Sequence, residues 1–397
     1  MSDASAASPI RDSPPFRRLL LARAVSHIGD GVAITALVLL VQGTHRSGPA
    51  VGALLLATSV PRFLGPLAGV LVDRVEQRSV MVACDLGQAA LFGVIAWLAP
   101  PFGWLLVLVV AAATLDTVFA PAGRSAVPAL VRPAQLLRAN ALLSTAMNLR
   151  IALGPVLGGL LVAGLGVRGA LAANALTFVI SAAALIGLPA LRSVGETEAR
   201  GFLAVGVEGL RFVWRSPLLR ALAISLFLGV AFAGLDDVSL VFLVRETLHG
   251  DAVAFGLVSG AYGVGMLAGS LGLSWKGTAA GAAAVFAWGW VASSGGAIVT
   301  GLAPLLAVAA VGQAIAGLGN ALEVVATDTM VQQATPREML GRVFGLIGTA
   351  SYTGHTLAFA GGGFLLEVTS ARTVFVIAGL GTMLVLGPVL LVLRRTR

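Results

Sequence analysis

Apolar runs of ~18 or more residues recur from one end of this 397-residue chain to the other, and no other feature limits its fold so tightly. Wound as a helix at ~1.5 Å per residue, such a run crosses the ~30 Å hydrocarbon core of a bilayer. Backbone polar groups find no partner in hydrocarbon, so only helices and closed barrels can cross it. The alternating strands of about ten residues that build a membrane barrel are missing from the pattern. Composition agrees: 57% of residues are hydrophobic and 11% charged, against about 25% charged in soluble domains. The chain reads as an all-α polytopic membrane protein.

Charged or Pro/Gly-rich breaks divide the apolar sequence into spans at about 17–43, 48–73, 79–99, 102–122, 140–164 and 169–189, then 217–245, 252–274, 279–300, 304–329, 340–366 and 371–393. These are twelve spans in two sets of six. The expected organisation is a disordered cytoplasmic tail (1–16), a six-helix bundle (17–189), a cytoplasmic linker (190–216), a second six-helix bundle (217–393) and a short tail (394–397). The first segment carries Arg23, His27 and Asp30 and reads as a retained span rather than a cleaved leader. With the N-terminus inside, 19 of the 26 basic residues fall in cytoplasmic segments, four outside and three within spans. That bias puts both termini in the cytoplasm of a multi-pass inner-membrane protein.

The halves echo one another. Pro133 after span four and Pro336 after span ten are 203 residues apart, and Gly158-Gly159 in span five and Gly361-Gly362 in span eleven share that offset. Two repeated six-span halves imply a secondary transporter with a site near the midplane between them.

Other classes fall away. The net charge of +8 would suggest nucleic acid in a soluble protein, but basic flanks of cytoplasmic helix ends account for it, and no nucleic-acid motif accompanies it. A single cysteine, Cys84, permits neither an intrachain disulfide nor a cysteine-based metal site. Glycine-rich stretches such as Gly361-Gly362-Gly363 lie inside apolar helical runs, where close helix packing explains them better than nucleotide binding. Lys276 is the chain's only lysine and lies in no Walker sequence. No nucleophile–base set, metal-ligand cluster or cofactor motif emerges, so the chain is expected not to be an enzyme and to use no cofactor beyond a proton or other ion gradient.

Ionisable groups inside spans are the candidate working residues, because each costs roughly 2.5–3.5 kcal/mol at mid-span. Counted from the span ends, Asp30, Arg62, Arg150 and His355 fall near the midplane. Asp116 and Glu323 lie in the cytoplasmic third of spans four and ten, and Asp236 and Asp237 in the outer half of span seven. Arg23, His27 and Asp30 are spaced i, i+4, i+7 and share one helix face. Asp30, with Arg150 or Arg62 as its candidate cation, is expected to bind either a proton or a cationic substrate. Asp236 and Asp237 point about 100° apart, so at most one faces a cavity squarely. His27 and His355 are expected to be hydrogen-bonded packing residues in preference to proton carriers.

Gly69-Val70-Leu71-Val72-Asp73-Arg74-Val75-Glu76-Gln77-Arg78 closely resembles the loop signature between spans two and three of the major facilitator superfamily. Gly154-Pro155-Val156-Leu157-Gly158-Gly159 resembles the Gly-Pro motif of its drug-exporting branch. The segment Ala126–Val131 leading to Leu137-Arg138-Ala139-Asn140 is similar to the loop after span four in multidrug, macrolide and siderophore exporters. Glu76 and Gln77 depart from the usual glycine and basic residue. The resemblance implies that spans one, four, seven and ten line a cavity. It also implies that Gly69, Asp73, Arg74, Arg78 and Asp85 form a conformational latch, Asp73 facing the start of span eleven at Gly341 and Arg342, with Arg74 or Arg78 pairing to Asp85. Gly154, Pro155, Gly158 and Gly159 would form a helix-bending motif.

The expected function is alternating-access export of amphiphilic small molecules, drug-like compounds or a secondary metabolite, by proton-coupled antiport and as a monomer in the lipid bilayer. The alternative is an uptake permease or uniporter of a small metabolite, which would need a denser polar lining than four asparagines and two tyrosines supply. A sensor or scaffold would need a soluble domain or long loop that the sequence lacks.

Overall fold

The computed structural model describes residues 13–72, 75–132, 135–191, 202–276, 281–336 and 339–395. Those residues form helices and no strand: α1 (Pro14–His45), α2 (Gly48–Ser59), α3 (Gly65–Val72), α4 (Gln77–Leu98), α5 (Phe102–Leu130), α6 (Leu136–Ile186), α7 (Phe202–Arg215), α8 (Pro217–Ala233), α9 (Leu235–Phe242), α10 (Ala252–Lys276), α11 (Ala282–Leu302), α12 (Leu306–Ala334), α13 (Leu340–Val368) and α14 (Ala371–Arg395). Nine helical stretches among them are long and apolar enough to cross a membrane. One of these, α6, holds spans five and six, while α2–α3 and α13 supply spans two and eleven, which gives the twelve.

Two spans are interrupted and the turn between spans five and six is marked by a backbone break, each for a local reason. Span two breaks at a 3-10 turn, Val60–Leu64, where Pro61 has no N–H to continue the helical ladder. Span seven breaks at Gly234, so α9 begins a new helix inside the membrane and ends in a π turn, Leu243–Thr247. Within the 51 residues of α6 the backbone leaves the helix at Gly166, with φ 71° and ψ 174°, a region populated almost only by glycine. Some helix starts carry side-chain caps. Ser216 accepts from the Leu219 N–H ahead of Pro217, and Asp251 accepts from the Ala254 N–H at 2.8 Å, each satisfying an orphan donor of a first turn.

The helices pack as two compact units: the described residues of Met1–Leu37 with Val60–Glu196, and of Val38–Ser59 with Thr197–Arg397. In the first, Phe16, Leu19, Met81, Phe119 and Leu185 form a buried core. In the second, Val213, Phe286, Trp290, Val343 and Ile347 do so. The second unit takes in the end of α1 and all of α2, a division that the linker between spans six and seven does not suggest. Small residues make this packing possible. A Cβ on Gly48 would lie 2.5 Å from the Gly363 carbonyl oxygen of α13, and one on Gly52 would collide with the Phe359 carbonyl. Gln42 Nε2 adds a hydrogen bond to Glu246 Oε1 at 3.0 Å.

Candidate functional site

In the first unit, two glycines on α1 bring it against α6 on two sides. A Cβ on Gly31 would stand 2.6 Å from both the Arg150 carbonyl oxygen and the Gly154 Cα, and one on Gly29 would stand 2.5 Å from Asn174 Oδ1 and collide with Thr177 Oγ1. One turn on, a Cβ at Gly158 would lie 2.8 Å from Thr35 Cβ. Gly154, Gly158 and Gly159 are buried and helical, as is Pro155's backbone. Gly154 and Gly158 form the surface on which α1 rests, and the backbone of α6 leaves the helix at Gly166. Asp30 lies between Gly29 and Gly31, so this contact fixes where its carboxylate points.

Arg23, on the same face of α1 as Asp30, is the centre of a charged group. It interacts electrostatically with Asp116 of α5, Asp30 and Asp85 of α4, and its guanidinium carbon sits 4.7 Å from the centre of the Phe119 ring. A cation over an aromatic face is held by the ring quadrupole as well as by the carboxylates. His27 Nδ1 is 3.8 Å from Asp30 Oδ2. Asp85 is 1% exposed, its Oδ2 makes no hydrogen bond, and Ser181 of α6 borders it. Arg124, nearer the end of α5, adds a second positive charge. Spans one, three and four thus place three carboxylates around Arg23, with Ser181 of span six beside Asp85.

The expected partners are arranged differently. Among the described residues the ion pairs within 4 Å are His27–Asp30, Arg78–Glu76 and Arg342–Glu208. Arg150 therefore makes no ion pair with Asp30. Its backbone carbonyl borders Gly31, and its side chain is half-buried. Arg62 is in the 3-10 turn of span two. Arg78 is engaged by Glu76 at 3.3 Å and by the Leu188 carbonyl at 3.0 Å, and Asp85 faces the Arg23 group. Gly69 is in α3 with open space beside it, while Asp73 and Arg74 lie outside the described residues.

Glu76, which departs from the family pattern, is the organising residue of this loop. It caps α4, accepting from the Ser79 N–H at 3.1 Å and from the Ser79 hydroxyl, and its other oxygen accepts from the Leu191 N–H at 3.1 Å. Partial burial works against its charge, but the Ser79 and Leu191 donors and Arg78 outweigh it and hold the carboxyl below its usual range. The Gln77 N–H donates to the Leu191 carbonyl, and the Arg18 guanidinium reaches the Gly187 carbonyl. The carbonyls at and beyond the end of span six are thus satisfied by the Arg18 and Arg78 side chains and the Gln77 backbone N–H.

The second unit has its own group at the break in span seven. Asp236 and Asp237 occupy the first turn of α9, where helix N-terminal amides favour negative charge. Asp237 is the more exposed of the two and interacts with His355 of α13. The His355 ring stands 5.8 Å from the Phe359 ring, and its Nδ1 is 3.1 Å from the Ser351 carbonyl oxygen. Tyr262 of α10 interacts with Asp236, Asp237 and Glu323. Glu323 is 9% exposed and packs against α11: Ser293 borders it, and a Cβ on Gly289 would sit 3.0 Å from its Cγ.

Comparison with known proteins agrees with this architecture. Residues 4–396 match the family model described as transmembrane secretion effector, a major facilitator family. The multidrug efflux pump Tap of Mycolicibacterium fortuitum is 28% identical over 96% of this chain and 96% of its own length. The enterobactin exporter EntS of Citrobacter koseri is 28% identical over 96% and 94%. Among solved structures, a mutant of the nucleoside transporter NupG superposes with a TM-score of 0.77 at 12% identity, covering 95% of this chain and 99% of that one. A bacterial homologue of the lysosomal transporter Spinster, inward-facing and occupied, gives 0.73 at 18%, covering 98% of each. The chain is a transporter of the major facilitator superfamily and belongs to its transmembrane secretion effector family.

Proposed function

We propose that this transporter exports amphiphilic small molecules across the inner membrane by alternating access, with protons entering in exchange. The single observation that carries the coupling is the Arg23 group, where one arginine serves Asp30, Asp85 and Asp116. Three carboxylates share Arg23, Asp85 among them at 1% exposure, and a proton added to a carboxylate oxygen lowers the negative charge that the group has to hold away from water. A cationic substrate competes for the same charge, and that competition is the basis of antiport. In the outward-open state a proton binds Asp30, and the substrate leaves. In the inward-open state the O–H bond of the acid breaks, the proton passes to the cytoplasm and the carboxylate again accepts cargo. Arg23 and His27 position Asp30. Asp85 and Asp116 share the arginine and change its hold on Asp30.

Export and amphiphilic cargo are supported by the full-length resemblance to a multidrug efflux pump and an enterobactin exporter, and by the scarcity of asparagine and tyrosine. The arginine bias supports cytoplasmic termini, and the protein acts as a monomer. The test is substrate uptake into inverted vesicles containing wild type or Asp30→Asn. Wild-type uptake should require the proton gradient, and the variant's uptake should fall to background. Transport indifferent both to collapse of the gradient and to Asp30→Asn removes coupling through this group.

A further inference from the structure

Helix α7 belongs to neither set of six spans, and its two faces differ. At 14 residues it is too short to cross a bilayer. One face is committed to the protein. Val213 is 2% exposed in the second unit's core, beside Val343 and Ile347. Gly209 lies so close to α13 that a Cβ would come 3.1 Å from Arg342 Cβ and 3.3 Å from Leu346 Cδ1. Glu208 Oε2 pairs with Arg342 Nη1 at 2.7 Å. The opposite face carries Val207, Leu210 and Trp214, spaced i, i+3, i+7 and 48–53% exposed. Beside that apolar stripe, Arg211 and Arg215 are exposed and make no ion pair with any described residue.

A valine, leucine and tryptophan stripe left about half exposed to water forgoes the gain from burial. Tryptophan and leucine on one side and arginine along the edge is the pattern of a helix lying in the headgroup region of a bilayer. The two unpaired guanidiniums decide the lipid. They complement phosphate groups that carry net negative charge, which zwitterionic headgroups do not. The linker lies on the membrane face that the arginine bias assigns to the cytoplasm, so α7 continues an already basic surface.

We propose that α7 is an anionic-phospholipid-binding helix, with Val207, Leu210 and Trp214 at the acyl boundary and Arg211 and Arg215 on the phosphates. Through Glu208–Arg342 and Gly209 it ties the first turn of α13 to the membrane surface. This inference is independent of what the protein transports.

The test uses the full-length protein with Cys84→Ala and a spin label at Leu210→Cys, reconstituted in phosphatidylcholine with or without phosphatidylglycerol. The label should be accessible to oxygen and shielded from a water-soluble nickel chelate when phosphatidylglycerol is present. Adding Arg211→Gln and Arg215→Gln should restore nickel access. Native mass spectrometry should show the charge variant losing its preference for bound phosphatidylglycerol by on the order of ten-fold. A label equally open to nickel in both lipids overturns the proposal. So does one shielded from both reagents in detergent, which would mean that protein covers the stripe, or an unchanged lipid preference in the variant.

Discussion

At the scale of single residues, Glu76 has more to do than a loop position suggests. It caps α4 and holds the end of span six through Leu191. Glu76→Ala should lower stability by roughly 1 kcal/mol, the usual size of a lost cap, read as an earlier thermal unfolding midpoint in detergent. The pH dependence has a definite sign. The folded carboxyl titrates below its usual range, so its contribution is complete above the unfolded glutamate value of ~4.3 and fades as pH falls through the lower folded value. The difference between wild type and Glu76→Gln should be constant at neutral pH and close in acid. A gap that widens on acidification contradicts the assignment. The sequence marks Glu76 only as a departure from a motif, because a cap and a tie to residue 191 depend on where span six ends in space. The Arg23 group was more legible. Arg23 lies six residues from the start of span one, Asp85 six from the start of span three and Asp116 six from the end of span four, which puts them at one depth in an up-and-down bundle. Equal depth makes a shared site possible, but rotation of each helix about its axis decides it, and no single-sequence pattern gives that for helices apolar all round. Arg150 has a suitable depth and turns elsewhere.

At the scale of elements, the contact between α1 and α6 depends on atoms that are not there. Gly31 and Gly154 face each other so closely that a Cβ on either enters the other's backbone. Lipid tails are as apolar as leucine, so packing of this kind, rather than hydrophobicity, joins membrane helices. Gly31→Ala or Gly154→Ala should therefore cost about 1–3 kcal/mol, the range for overpacking, and should reduce both folded yield and transport by moving Asp30. Gly348→Ala on α13, where nothing lies within 4 Å of the added carbon, is the matched control and should be silent. Equal effects at the three positions would mean that helix propensity and not the crossing is being measured. Counting apolar runs locates spans five and six and places their break near Gly166, since a gap in hydropathy is a one-dimensional signal. It cannot tell that Gly154 and Gly158 act as a seat for α1, because glycine in a helix reads the same whether it bends the chain or admits a neighbour.

At the scale of the whole molecule, twelve spans in two halves follow from sequence, whereas membership of the compact units does not. Residues 38–59 pack within the second unit, and the same span resumes in the first after the turn at Val60–Leu64. If the transporter alternates, those residues have to leave the second unit in one half of the cycle. The Gln42–Glu246 hydrogen bond and the Gly48 and Gly52 contacts with α13 then have to break and re-form. None of these contacts is strong on its own: a neutral side-chain amide with a carboxylate contributes about 1.5–3 kcal/mol, small enough to be broken in each turnover. A covalent bridge would not be. With Cys84→Ala as background, Gln42→Cys and Glu246→Cys joined by a short reducible bis-thiol reagent should stop transport in vesicles, and reduction should restore it. Each single-cysteine protein treated with the same reagent should continue to transport, because a modified thiol alone leaves the segment free. Full transport by the bridged protein would mean that residues 38–59 stay with the second unit throughout the cycle, which would move the alternating motion to another set of helices.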